Sequence, residues 1–226
     1  MALASFQASF GSLTLHAFQL VGLRPTSLVQ EHFESARMAA NLMLLHWAND
    51  GVNLWRVDLE TIPLVQGQST YAVDPDTVTI LDAYYTTGVG PTAVDRILLS
   101  ISRTEYTSYS RKEQQGTPTV FWHNRQLEPT VTLWPVPDGI EASFSYYRLA
   151  QNDPATLSNG ATPEIPQVWF PAFVSGLAAQ LAMIWAPERL AFLAPAAAEA
   201  FRKAAETNVE LAQQYISPQI GGYYRN

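Results

Sequence analysis

The stretch that most restricts the fold runs from Val168 to Ala186 (VWFPAFVSGLAAQLAMIWA) and is apolar except for Ser175 and Gln180. Apolar surface on this scale has to be covered, by lipid or by protein. The length is close to the ~20 residues that cross a bilayer, and Trp169 and Trp185 resemble an interfacial belt. Against a membrane span stand Pro171 and Gln180 inside the run. Its flanks, Glu164, Glu188 and Arg189, also lack a basic cluster. Gly176, Ala178, Ala179 and Ala182 suit close helix packing inside a protein. The expectation is a buried helix, with a membrane-associated segment over residues 168–186 as the alternative.

A buried helix needs partners, and the N-terminal quarter offers them. Residues 13–23 (LTLHAFQLVGL) read as a short apolar helix or extended arm leading to Arg24-Pro25. Thr26 and Ser27 then supply N-cap oxygens, with Gln30 three residues beyond Ser27 as in a capping box. The next helix carries Val29, Phe33, Ala36, Ala40, Met43 and Trp47 at spacings of three and four, which places all six on one face. From Ala39 to Leu45 the opposite face is also nearly apolar, so burial on two sides is expected. Asn49-Asp50-Gly51 ends the helix, Gly51 being suited to a left-handed closing residue.

Beyond Gly51 the period drops to two. Trp55 to Glu60 alternates apolar and polar as a half-buried strand does. Val65-Gln66-Gly67-Gln68 reads as a turn and Ser69 to Val73 as the returning strand of a hairpin. Further strands are expected over residues 77–86, 96–101, 119–123, 130–134 and 142–148, with Arg103 to Tyr109 as a short helix or turn. A polar linker from Gln151 to Pro166 leads to the helical C-terminal third. There Pro187-Glu188 opens a new helix, and Pro195 starts a further segment or kinks a continuous one. Phe201, Ala205, Asn208, Ala212 and Tyr215 share a face, and Ser217-Pro218 ends the run.

The expected class is therefore α+β: a helical domain formed by N-terminal and C-terminal helices with an inserted antiparallel β region. The divisions fall at 1–53 (arm and long helix), 54–150 (β insertion), 151–216 (linker and C-terminal helices) and 217–226 (tail).

Composition narrows the function. Only 15% of the 226 residues are charged, against roughly 25% in an average soluble domain, which points to surface covered by neighbours. Thirteen Lys+Arg stand against 20 Asp+Glu, a net charge of -7. No basic run interrupts this, so tight phosphate-neutralising binding of nucleic acid is not expected. There are no cysteines, which removes disulfides, thiolate metal sites and a Cys nucleophile. The N-terminus does not read as a secretory signal.

Chemistry is harder to find. His16, His32, His46 and His123 are scattered without metal-ligand spacing. Asp74 and Asp76 flank Pro75 and read as turn residues rather than an acid–base pair. Glu105, Asp153 and Glu164 form no better constellation, and G-x-S-x-G, P-loop and G-x-G-x-x-G motifs are absent from the sequence. No enzyme, cofactor or metal is expected.

An ordered set of modest motifs resembles the head-to-tail adaptor (head completion) proteins of tailed bacteriophages, especially short-tailed ones. Asn41 to Trp55 is similar to the family's Asn-and-apolar run followed by Trp, Gly and an aromatic. Gly67 to Val73 is similar to its G-x-x-x-Y-x-hydrophobic strand. Gly116-Thr117-Pro118 precedes a strand, and Leu133-Trp134-Pro135-Val136-Pro137 resembles its L-x-P-x-P. Pro166 to Trp169, with Leu177-Ala178 and Leu181-Ala182, resembles its C-terminal helix. The set covers most of residues 26–190; residues 1–23 fall outside it.

The resemblance implies a structural virion protein at the portal vertex, assembled in the host cytoplasm as a ring of twelve copies. Its partners would be the portal protein, a downstream nozzle or tail-tube protein, and packaged DNA passing without sequence-specific binding. A membrane-associated virion or entry protein remains the alternative. Phe33, Met43, Trp47, Trp169, Leu177, Leu181 and Phe201 mark the helices expected to pack subunits together. The tail SPQIGGYYRN places Ile220, Tyr223, Tyr224 and Arg225 around Gly221-Gly222. Since adaptors of this kind anchor through C-terminal segments, residues 220–225 are expected to dock into the portal.

Overall fold

The computed structural model describes residues 8–51, 54–88, 90–139 and 141–208. Helix α1 (Phe10–Val21) opens on Ser9, whose side chain accepts the Ser12 N–H at 3.2 Å. It closes at Gly22, φ 93°, where the Leu23 N–H reaches back to the Phe18 carbonyl at 3.0 Å. The long helix α2 (Gln30–Asn49) does not use the expected caps. Arg24-Pro25 throws Pro25–Ser27 into a 3₁₀ turn, and the Ser27 hydroxyl donates to the Arg24 carbonyl instead. Val29 becomes the first boundary residue, its N–H donated to His32 Nδ1 at 3.3 Å.

The apolar segment forms α4 (Phe170–Trp185), preceded by a 3₁₀ turn over Gln167–Trp169. The helix from Gln167 to Trp185 is long and apolar enough to cross a membrane, yet 56% of its apolar window is buried inside the protein. It is the central helix of the core. α1 and α2 cover it, and α5 (Leu190–Thr207) folds back on it through the short turn Pro187–Arg189. Pro195 sits inside a continuous α5. His32 of α2 stacks on Trp185 at 4.2 Å, while Trp47 meets Trp169 at 5.1 Å, so α2 and α4 run antiparallel. α4 and α5 are antiparallel by connection, hence α2 and α5 run the same way. Trp47, Trp55, Trp169 and Phe201 form one aromatic cluster with centroids 5.0–5.8 Å apart.

The β residues build a second core. The strands are β1 (Val57–Pro63), β2 (Thr70–Ala72), β3 (Thr77–Thr87), β4 (Val94–Ser100), β5 (Val120–Asn124), β6 (Thr130–Trp134) and β7 (Ala142–Ala150); the short helix α3 (Arg103–Ser108) lies between β4 and β5. Their order in one sheet is β1-β7-β3-β4-β5-β6-β2. β1 and β2 therefore do not form the expected hairpin: β1 pairs with β7, and β2 with β6. The turn itself is real, with Gly67 at φ 77°. A flat seven-stranded sheet would hold its edges about 29 Å apart. The seven residue steps from Pro63 to Thr70 reach at most about 25 Å, so the sheet has to curl. Tyr71 fixes that crossing, its hydroxyl accepting the Val65 N–H at 3.0 Å and donating to the Gln68 carbonyl at 2.9 Å. The paired strands described are antiparallel except β4 with β5, which run parallel at Leu99↔Val120 and Ser100↔Phe121.

Two passages of chain join the cores. Trp55 donates its indole N–H to Asn152 at 3.3 Å, and Arg56 donates to the Gln151 carbonyl at 3.2 Å and pairs with Glu164. The returning segment is more than a polar linker, because Leu157 and Ile165 enter the helical core. The Phe10 N–H also donates to the Ala161 carbonyl at 2.8 Å.

Candidate functional site

The polar clusters that could suggest chemistry have structural partners. Asp74 accepts the Asp76 N–H at 2.9 Å and pairs with Arg148 at 3.3 Å. Arg148, largely buried, also meets Glu60 at 3.2 Å and Thr77 at 3.2 Å, tying β1, β7 and the β2–β3 turn together. Asp153 accepts the Ala155 N–H, and Glu164 holds Arg56. Among the described residues no group of His, Asp and Glu is placed to hold a metal ion. His32 is an aromatic wedge between Trp185 and Phe18. His123 is held below the usual imidazole range by burial and by the Arg125 charge.

Surfaces, rather than a cleft, distinguish the molecule. Met43, Trp47, Trp169, Leu177 and Leu181 are buried, and Phe33 and Phe201 partly so, against the chain's own helices. Side chains used up in this way are unavailable to another copy. The residues expected to mark subunit packing thus pack the helices of one copy against each other. The C-terminal expectation, Ile220 to Arg225, lies outside the described residues.

The faces left over are apolar. An α-helix turns 100° per residue, so Met38, Leu42 and Leu45 stand opposite Ala36, Ala40, Met43 and Trp47. Those three are 62, 52 and 42% exposed. The double-sided apolarity of this helix was legible; that its second side faces outward was not. A groove of about 440 Å³ runs between α2, α4 and α5, lined by small residues including Gly176, Ala179, Ala194 and Ala198. Gly176 makes the close approach of α2 and α4 possible: a Cβ there would lie 2.6 Å from Met43 Sδ. Phe192 on α5 is 83% exposed. On the sheet, Ile97 and Leu99 of β4 and Tyr147 of β7 face outward. On α5, Arg202 bridges Glu199 and Glu206, and Lys203 joins Glu199. These cations hold the Glu199 carboxyl down to about 2.

A low content of charged residues and apolar outward faces are the features the surface presents. The family model for the SU10 adaptor protein matches residues 25–220. The chain belongs to the SU10 adaptor protein family, and is thus a phage structural adaptor, a virion component of the head–tail interface. No curated protein matches it. The match covers α2 to α5 and the whole sheet, further toward the C-terminus than the motifs quoted above. α1 precedes it, yet Phe10, Leu13 and Phe18 are integral to the helical core.

Proposed function

We propose that this adaptor assembles as a closed ring, of twelve copies by the family resemblance, which seats beneath the portal once DNA is packaged. The ring extends the DNA channel, retains the genome and offers a platform to the next tail component. Its role is structural rather than catalytic. It is made in the host cytoplasm and ends at the portal vertex of the virion. The observation that carries the reading is the outward apolar stripe of α2 together with the small-residue groove on another flank, surfaces that a monomer would leave in water. The net charge of -7 suits a conduit that must not grip DNA.

Residues 220–225 supply the attachment in this reading, with Tyr223, Tyr224 and Arg225 as residue types enriched where binding energy concentrates. Mixing full-length protein with purified portal rings and imaging the product tests the proposal. A coaxial complex is expected, and its loss on removal of residues 217–226 with the fold retained. Portal rings that stay bare with the full-length protein would contradict it.

A further inference from the structure

A ring of identical subunits needs two different, complementary surfaces on each copy, because a surface that pairs with itself gives a closed dimer. The helical body carries such a pair. The α2 stripe points away from the core, whereas the groove opens on another flank, between α2 and α5.

Their patterns match. Along α2, Glu34, Met38, Leu42 and Leu45 are spaced by four, four and three residues. Along the groove wall of α5, Leu190, Ala194, Ala198 and Phe201 repeat the same spacing. Each row spans about 16 Å at the helical rise. In this register Met38 and Leu42 face Ala194 and Ala198, the size complementarity that lets helices approach closely. Direction agrees as well. α2 and α5 run the same way within one copy, and for a ring whose axis runs along the helices rotation preserves that direction, which sets α2 of the next copy parallel to α5.

Charge completes the register. Glu31 and Glu34 stand at the N-terminal end of the stripe. Arg189, just before Leu190, donates to the Leu20 carbonyl at 3.3 Å and forms no ion pair with a carboxylate among the described residues. In the parallel register it lies beside the glutamates of the neighbour.

We propose that the Met38–Leu42–Leu45 stripe of one copy seats in the alanine-lined groove of the next, parallel to α5, with Glu34 beside Arg189. This rests on the ring reading above and names its subunit contact.

The chain contains no cysteine, so disulfide trapping reports on the contact without background. The full-length Leu42→Cys/Ala198→Cys double variant, oxidised mildly, is expected to give a ladder of covalent multimers. An equal mixture of the two single variants should stop at dimers, and either single variant alone should stay uncoupled. Leu42→Asp, at an exposed position, should weaken self-association at least ~10-fold while leaving the thermal melt of the dilute protein unchanged. Dimers from Leu42→Cys alone would overturn the proposal in favour of a face-to-face contact. An oligomer of measured mass that yields no ladder would overturn the contact and leave the ring standing. A protein that is monomeric at every concentration and on portal rings would overturn both.

Discussion

Replacing Trp169 by alanine separates a core residue from an interface residue. Trp169 is 2% exposed and touches Trp47, Trp55 and Phe201, so it joins α2, the start of the β region, α4 and α5. Removing a fully buried large aromatic costs about 3–5 kcal/mol, since the surrounding rings close the cavity only in part. For a chain of this size each kcal/mol lowers the melting temperature by about 2–4 °C. Trp169→Ala should therefore melt about 6–20 °C below the wild type. The assay is circular dichroism of dilute protein, where subunit contacts contribute least, with Leu42→Ala as the comparison. That exposed substitution should stay within about 0.5 kcal/mol. If Trp169→Ala melted within about 2 °C of the wild type while losing assembly, the residue would belong to a subunit interface and the core assignment would fail.

Gly176→Val should destabilise the helical body by about 1–3 kcal/mol through overpacking against Met43, and Met43→Ala should recover part of that loss in a double-mutant cycle of urea unfolding. Arg148→Met, which removes the partner of Glu60, Asp74 and Thr77, should cost about 1–3 kcal/mol in the same assay; half-exposed carboxylates are rehydrated, which keeps the loss at that level. His123 binds its proton less readily folded than unfolded, so its contribution is complete above the ordinary imidazole value near 6.5 and declines as pH falls below it toward the lowered folded value. The difference in unfolding free energy between wild type and His123→Gln should therefore shrink in acid; a pH-independent difference would contradict the burial argument.

The helical half of the fold was largely legible, because Ala36, Ala40, Met43 and Trp47 repeat at a helical period and the 168–186 run admits few ways to be covered. The cap of α2 was not, since Thr26 and Ser27 carry the right oxygens but Pro25 diverts them into a separate turn. Strand positions could be read from alternation, and Gly67 marked a genuine turn. Strand partners could not: β1 and β2 look like a hairpin locally, and only the distant segments that become β6 and β7 compete for their edges. The parallel β4–β5 pair is non-local in the same way. At the candidate surface, Leu42 and Leu45 read as core because exposed apolar side chains have the same chemistry as buried ones.

The most direct measurement of the central claim is electron cryomicroscopy of the full-length protein mixed with its portal rings. A continuous ring of identical copies is expected, coaxial with the portal, with α2 of each copy lying along α5 of the next. Unaltered portal rings beside monomeric protein would contradict it.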